Sequence, residues 1–387
     1  MTAVQNATPR VAHPDFAEVA ERFQTAPRDG FGAQLCVSVG GEVVLDLVDG
    51  IADDAIMTIY SSGKGAAALT MALLVDRGLL DLDATVAQYW PEFAAADKSA
   101  ITVRHLLTHQ AGLPETDAGI PVDAWLSEHG AADLLAAQLP LWRPGSAFGY
   151  HGLTIGALAG EVCRRITGET LQAYYDAELR QPADIDLYLG LPAAEEPRVV
   201  ELQPMPPPTA EQLAAIGDRF QRDPGPYAPM TFRANGLDVP ASPAGRAAGL
   251  PAAAGVGSAR GLARLYAVTA GWGYDEPLVT AETRDRFAQA QVVGFDVVLQ
   301  THRSHGIVFQ KPTAELPFGS HRAYGHDGAG GSMAFADPVG EIAFGYAVQR
   351  TPFPGGADPL AIELARLIRG IVVGDTTSPM AGRKVSG

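Results

Sequence analysis

Two β-hairpin patterns lie at opposite ends of this chain of 387 residues and limit the folds that it can adopt. Near the N-terminus two β-branched, apolar runs flank Gly40-Gly41, and near the C-terminus two further runs flank a turn at 337–340. Such turns between β-branched runs are typical of antiparallel strand pairs. The residues between the hairpins have mainly helical periodicity, as at 155–167, and a last helix is predicted at about 359–371. We therefore predict an α+β fold in which both chain ends build one antiparallel sheet flanked by helices.

The middle of the chain is predicted to form a second, mostly helical domain inserted into the first. The sheet domain is then discontinuous, with residues 1–82 and 244–387, and the insertion covers 83–243. Proline is dense at 191–243, which predicts an irregular, partly extended loop. Long ordered loops often cover active sites, but a surface loop without a role fits the same pattern.

The composition argues against several classes of protein. The net charge is −16 and the basic residues form no cluster, so the surface would repel nucleic acids and anionic membranes. No segment approaches the length of a membrane span, and the first residues lack the apolar run of a secretory signal, which predicts a cytoplasmic location. The two cysteines, Cys36 and Cys163, are too few for a disulfide framework and are interpreted as small buried hydrophobes.

Ser61 and Lys64 form a Ser-x-x-Lys tetrad in a chain that has only four lysines. The apolar run at 66–74 follows directly and predicts a helix, on which residues three apart share a face. The Lys64 amine can then reach the Ser61 hydroxyl and act as its base, provided that burial lowers the pKa of the lysine. The positive end of the helix would also stabilise negative charge near Ser61. A helix-capping serine followed by a solvated lysine explains the tetrad alone equally well.

Other kinds of catalytic site find little support. The sequence has no Gly-x-Ser-x-Gly motif, so a Ser-His-Asp hydrolase with a nucleophile elbow is disfavoured. His105 and His109 are four residues apart, but no third metal ligand accompanies them, and we interpret them as structural histidines. We therefore predict neither a metal nor a cofactor.

Four stretches occur in the same order as in a known group of enzymes. They are the stretch 60–65, which contains the tetrad, the stretch 101–114, which ends in Leu-Leu-Thr-His-Gln-Ala-Gly-Leu-Pro, the stretch 150–156, which begins Tyr-His-Gly, and Gly-His-Asp-Gly-Ala-Gly-Gly at 325–331. On these motifs the chain resembles the serine hydrolase superfamily of class C β-lactamases and D-Ala-D-Ala peptidases, and most closely the family VIII carboxylesterases. The resemblance implies a β-lactamase-like fold with Ser61 as the nucleophile.

The resemblance also implies which groups assist Ser61. The family's tyrosine works beside the lysine, and its match here is Tyr150, whose phenol would relay the serine proton to the leaving group. The family's oxyanion hole uses two main-chain N–H groups, which map to Ser61 and Ala329. An aromatic side chain packed at a turn before a helix is the alternative explanation for Tyr150.

The third motif differs from the lactamase pattern. His326 stands where lactamases have lysine, so the fixed cation that would hold a lactam carboxylate is missing. A histidine can be neutral or charged near pH 7, which favours substrates without an obligatory carboxylate and predicts a pH dependence between about 5 and 8. His326, Gly328 and His151 are the predicted substrate-binding residues, although both histidines would also suit structural roles. Trp272 and Tyr227 are further candidates for the walls of an acyl pocket.

These observations lead to one preferred function and its alternatives. The preferred hypothesis is a serine carboxylesterase that hydrolyses small or short-chain acyl esters through a Ser61 acyl-enzyme, with Lys64 and Tyr150 as the proton-transfer pair. Its predicted partner is a small-molecule ester. The alternative is an acyltransferase, or a hydrolase of amides or β-lactams, on the same scaffold. The third hypothesis is a non-catalytic binding protein.

Overall fold

The computed structural model describes residues 10–214, 238–273 and 277–374. Tyr227 and the centre of the predicted proline-rich loop lie outside the described residues. The described residues form eleven strands, numbered in chain order: β1 Val11–Ala12, β2 Ala33–Val39, β3 Glu42–Asp49, β4 Met57–Tyr60, β5 Leu187–Leu189, β6 Gly255–Gly257, β7 Val292–Asp296, β8 Thr301–His305, β9 Tyr324–Asp327, β10 Met333–Asp337 and β11 Ile342–Val348.

Helices account for more of the described chain than strands do. The α-helices whose two ends both lie in described residues are α1 Ala17–Thr25, α2 Lys64–Asp76, α3 Val86–Tyr89, α4 Val103–Leu107, α5 Val122–Leu126, α6 Gly130–Ala137, α7 Thr154–Thr167, α8 Leu171–Tyr175, α9 Asp238–Ala241, α10 Pro243–Ala248, α11 Ala259–Ala270, α12 Ala281–Ala288 and α13 Pro359–Val373. None of the described helices is long and apolar enough to cross a membrane.

The two chain ends build one six-stranded sheet, as predicted. Its order is β1-β3-β2-β11-β10-β9, and every neighbouring pair is antiparallel. The ends meet where β2 pairs with β11, for example Val37 opposite Phe344. Both predicted hairpins are present, and the N-terminal one turns at Gly40 and Gly41, whose φ angles of 59° and 88° suit glycine. The predicted α+β fold, with one antiparallel sheet built from both chain ends, is confirmed.

Each face of this sheet packs on helices, because successive strand residues point to opposite sides. Leu35 and Val37 of β2 join a core that also contains α1 and α13 residues such as Phe23 and Leu364. The intervening Cys36 packs on the other face, against Ala259 and Ala263 of α11. The sheet is therefore the middle layer between two sets of helices.

Residues 83–214 are mostly helical, as expected, but they also supply the strand β5. This strand pairs with β6, which pairs with β4, in a separate three-stranded antiparallel sheet. Three residues are too few to show a period of two, which explains why the sequence did not indicate a strand here. One core cluster contains residues from both predicted domains, among them Leu69, Leu158 and Tyr266. The domain boundaries at 82/83 and 243/244 stay a prediction.

Helix α2 carries the tetrad's lysine into the centre of the molecule. Its residues from Lys64 to Leu74 are all buried, and apolar side chains surround it on every side. A helix that is apolar all round belongs inside a large core rather than at a surface. Lys64 is therefore placed in an apolar environment by its neighbours in sequence.

Candidate active site

The chain makes a sharp turn at the nucleophile. Strand β4 ends at Tyr60, which has a φ of 46°, an uncommon backbone conformation for a non-glycine residue. A single 3-10 turn, Ser61–Gly63, then leads into α2. The next side chain, Ser62, is held by a chain of hydrogen bonds. Its Oγ lies 2.8 Å from Ser332 Oγ, and the Ser332 hydroxyl donates to Ile59 O at 2.8 Å. These buried hydrogen bonds fix the turn that presents Ser61.

Lys64 reaches Ser61 from one helical turn further along. Its Nζ lies 2.8 Å from Ser61 Oγ, 2.8 Å from Gly152 O and 2.7 Å from Ala252 O. Burial, opposed by the Asp327 carboxylate, lowers the pKa of Lys64 to about 7. A neutral amine can donate its two N–H bonds to the two carbonyls, which leaves its lone pair directed at the Ser61 hydroxyl. This arrangement suits a general base.

Tyr150 approaches Ser61 from the other side. Its buried phenol donates to Ser61 Oγ at 3.0 Å, and the Lys64 Nζ lies 5.0 Å from the centre of its ring. Burial raises the pKa of the Tyr150 phenol above its ordinary value, although the hydrogen bond with Ser61 opposes this shift. The Tyr150 backbone N–H donates to Asp296 Oδ1 at 3.1 Å, which ties the tyrosine to the end of β7. Tyr150 is therefore placed as a proton donor to Ser61.

The His326 side chain is buried beside Tyr150 instead of being exposed to a substrate. Its side chain is fully buried, its Nδ1 lies 2.7 Å from Asp327 O, and its ring centre is 6.0 Å from that of Tyr150. Burial and the nearby Lys64 amine lower the pKa of His326 well below its ordinary value. Both effects favour a neutral imidazole, which packs near Tyr150. The predicted contact with substrate and the predicted titration between pH 5 and 8 stay predictions, and the buried position of the side chain argues against both.

His151 and Gly328 also have structural positions. The buried His151 ring lies 2.6 Å from Gly149 O through Nδ1 and accepts from Leu113 N–H at 2.9 Å through Nε2, and burial lowers its pKa to about 4. A Cβ at Gly328 would overlap Ile59 O and the Ser332 hydroxyl, so this glycine lets the end of β9 approach β4. Neither residue is in the wall of the cavity described below, so their contacts favour roles in packing. Their roles in substrate binding stay predictions.

A cavity of about 410 Å³ opens at Ser61. Its wall contains the predicted residues Ser61, Tyr150 and Ala329, so both main-chain groups assigned to the oxyanion hole lie at the same cavity. The oxyanion hole itself stays a prediction. Residues of the wall that the sequence did not indicate include Leu153, Met205, Leu299, Arg303, Gln310, Asp327 and Thr351.

Most of these additional residues had no sequence signal, because they come from loops and from the short hairpin β7–β8. Leu153 and Asp327 are exceptions, since Leu153 lies in the stretch 150–156 and Asp327 lies in the third motif beside His326. Trp272, a predicted wall of the acyl pocket, lines a different cavity of about 210 Å³ beside β2 and α11, together with Cys36 and Arg260. Trp272 follows the end of α11 and is not in the wall of the cavity at Ser61, so the structure does not support that prediction.

His105 and His109 make the kind of contacts expected of structural histidines. His105 Nδ1 lies 3.4 Å from the Thr102 N–H in a capping box at the start of α4. His109 Nδ1 accepts from the His151 N–H at 3.1 Å. Both histidines therefore stabilise the chain around Tyr150.

The site places a serine hydroxyl between a buried lysine amine and a tyrosine phenol, and the fold surrounds an antiparallel sheet with helical layers. Together they define a serine hydrolase of the β-lactamase fold. The chain belongs to the Beta-lactamase family, whose model matches residues 19–367. The protein is accordingly a hydrolase, and the resemblance found in the four motifs is confirmed.

Known relatives agree with this assignment. The chain is 34% identical over 369 residues to the Esterase/beta-lactamase LipL of Mycobacterium tuberculosis, a match that covers 86% of this chain and 81% of LipL. It is similar in structure to EstA from Arthrobacter nitroguajacolicus Rue61a, with a TM-score of 0.85 and 40% identity over 95% of this chain and 99% of EstA. A family VIII carboxylesterase matches with a TM-score of 0.79 and 32% identity, over 92% of this chain and 98% of the other.

Proposed function

We propose that this hydrolase is a carboxylesterase that cleaves small or short-chain acyl esters through an acyl-enzyme on Ser61. The observation that carries the proposal is the contact of Ser61 Oγ with both the Lys64 amine and the Tyr150 phenol. The cavity volume of about 410 Å³ suits a small ester. The names of the similar proteins, an esterase/beta-lactamase and a family VIII carboxylesterase, support ester hydrolysis.

The proposed reaction begins with the neutral amine of Lys64. Lys64 takes the proton of Ser61 while Oγ bonds to the acyl carbon, and the main-chain N–H groups of Ser61 and Ala329 stabilise the oxyanion that forms. The ester C–O bond then breaks. The departing alkoxide takes a proton from the Tyr150 phenol, which recovers it from Lys64. Water attacks the acyl-enzyme by the same route and releases the acid.

A serine-reactive fluorophosphonate tests the proposal directly. After brief exposure, mass spectrometry of peptides is expected to find the adduct on Ser61, and Ser61→Ala is expected to lose hydrolysis of p-nitrophenyl acetate. The exposed Ser99 provides a control, since Ser99→Ala removes a hydroxyl far from the cavity. An adduct on another serine, or full activity in Ser61→Ala, would rule out the proposed nucleophile.

A second candidate function uses the same serine. The printed name of LipL couples esterase with beta-lactamase, so hydrolysis of a β-lactam amide deserves a parallel assay. Because the lysine of the lactamase motif is replaced here by the buried His326, we expect turnover of nitrocefin to be slower than that of p-nitrophenyl acetate. Addition of a small alcohol to the ester assay also measures acyl transfer, which would dominate if the protein were an acyltransferase.

A further inference from the structure

Arg303 is a cation in the wall of the catalytic cavity that forms no salt bridge with a described residue. It lies on β8, it is partly exposed, and it shares the cavity with Ser61 and Tyr150. Its Nε is buried and has no hydrogen-bond acceptor. A buried donor without an acceptor is costly, and the planar guanidinium matches a carboxylate in a bidentate geometry. The Arg303 guanidinium, a group suited to binding an anion, therefore lies in the same cavity as the nucleophile with its Nε unpaired.

The strand register explains why Arg303 faces the site. Residues two apart on a strand share a face, so Arg303 points to the same side as His305. The His305 ring is stacked on Tyr150, with 6.2 Å between the ring centres. Gln310 forms a bridge opposite His305, and directly opposed residues of an antiparallel pair also share a face. Arg303 and Gln310 thus flank the position of the catalytic tyrosine.

Gln310 adds a second donor next to this cation. Its Oε1 accepts from the Asp327 N–H at 3.1 Å, which fixes the orientation of the amide group. Its Nε2 makes no hydrogen bond to another described residue and belongs to a side chain of the cavity wall. A carboxylate in the cavity would have the guanidinium and this amide as donors.

Two carboxylates near the cavity, those of Asp296 and Asp327, accept hydrogen bonds from backbone N–H groups. Asp296 is fully buried, and its Oδ1 accepts from the backbone N–H groups of Tyr150, Val298 and Leu299. Asp327, which shares the cavity wall, accepts from the Ala357 N–H at 2.9 Å through Oδ2. Neither of them lies within salt-bridge distance of Arg303, although the Arg303 charge opposes the rise that burial causes in the pKa of Asp296. The cation is therefore available to a ligand.

We propose that Arg303, assisted by Gln310, binds a carboxylate of the substrate, so that the preferred esters of this enzyme carry a negative charge. The inference rests on the proposed ester hydrolysis and defines its substrate class. It also revises the expectation that the third motif leaves the site without a cation, because β8 supplies one from a different part of the chain.

Two pairs of esters that differ only in a carboxylate test this proposal. Monomethyl glutarate is compared with methyl pentanoate, which places the charge on the acyl side, and 4-acetoxybutanoate with butyl acetate, which places it on the alcohol side. In at least one pair kcat/KM is expected to be higher for the anionic ester. The ratio of anionic to neutral kcat/KM is expected to fall at least tenfold in Arg303→Gln and to recover in part in Arg303→Lys. The exposed Arg366 is the matched control, because Arg366→Gln makes the same change in net charge outside the cavity.

Two results would overturn the role of Arg303 while leaving ester hydrolysis intact. One is a wild-type enzyme that prefers the neutral ester of both pairs with activity that depends on Ser61. The other is an equal loss for both esters in Arg303→Gln, which would indicate a structural role. A measurement without turnover separates the two proposals further: the Kd of monomethyl glutarate for Ser61→Ala, by calorimetry, is expected to rise at least tenfold in Ser61→Ala/Arg303→Gln. Equal affinities would exclude the carboxylate site.

Discussion

Lys64 is a buried amine whose hydrogen-bond partners are all oxygen atoms, and this combination decides how it can act. An ammonium would satisfy all three oxygens but would leave a charge in an apolar core, where desolvation is unfavourable. The neutral amine keeps both carbonyl contacts, to Gly152 O and Ala252 O, and accepts from Ser61. Burial therefore favours the protonation state that the reaction needs.

This balance predicts the pH dependence of ester hydrolysis. Because the base must be neutral and its pKa is lowered to about 7, kcat/KM is expected to rise by about tenfold per pH unit below 7 and to level off above it. Burial raises the pKa of Tyr150, so the phenol keeps its proton across this range. A rate profile for p-nitrophenyl acetate between pH 5 and 9 measures the midpoint.

Histidine variants separate Lys64 from other titrating groups. The exposed His321→Gln is the control for the loss of an imidazole. His326→Gln is expected to keep a midpoint near 7, because His326 is neutral throughout this range. A midpoint that disappears in His326→Gln would instead identify the imidazole as the titrating group, and a flat profile would contradict the role of Lys64 as a base.

At the scale of single elements, the sequence predicted what local chemistry determines. The glycine turn at 40–41, the runs of β2 and β11 and the apolar helix α2 all follow from side-chain pattern. The contact of Ser61 with Lys64 follows from their spacing, whereas Tyr150 was indicated by the family resemblance. The strand β5 and the wall residue Arg303 depend on which elements become neighbours, and no local pattern records that. The buried position of His326 could not be predicted for the same reason, since the motif identifies the strand but not which side of it faces the cavity.

Close packing between elements allows a test of stability at Gly345 on β11. A Cβ at this position would lie 2.6 Å from Ala263 N, and it would overlap Ala259 O. Since both are backbone atoms of α11, Gly345→Ala must move the helix away from the sheet, and the free energy of unfolding is expected to fall by about 1–3 kcal/mol. Urea unfolding followed by circular dichroism measures the change.

Gly160 on α7 is the matched control for this substitution. A Cβ there meets no atom within 4 Å, so Gly160→Ala is expected to be neutral or to stabilise the protein by up to about 1 kcal/mol through helix propensity. Equal effects of the two alanines would show that the approach of α11 to β11 does not limit the packing of this sheet.

At the scale of the whole molecule, the six-stranded sheet separates two cores and belongs to both. Alternate residues of β11 enter different clusters: Phe344 packs with α1 and α13, whereas Ala343 belongs to the core that includes α2 and α7. The second core also crosses the predicted boundary between the sheet domain and the inserted segment. A substitution that destabilises the core on one side of the sheet is therefore expected to destabilise the core on the other side as well.

Phe344→Ala tests this coupling. The side chain is fully buried and stacks on Phe335 with 5.0 Å between ring centres, so its truncation is expected to lower the free energy of unfolding by about 3–5 kcal/mol. Three of the four tryptophans, Trp90, Trp125 and Trp142, lie in the segment 83–243. With Trp272→Phe in both proteins, tryptophan fluorescence reports on that segment, whereas circular dichroism reports on the whole chain. Because the cores share the sheet, both signals are expected to shift to the same lower urea midpoint in a single transition. A tryptophan transition that keeps its wild-type midpoint would instead show that residues 83–243 unfold as an independent domain.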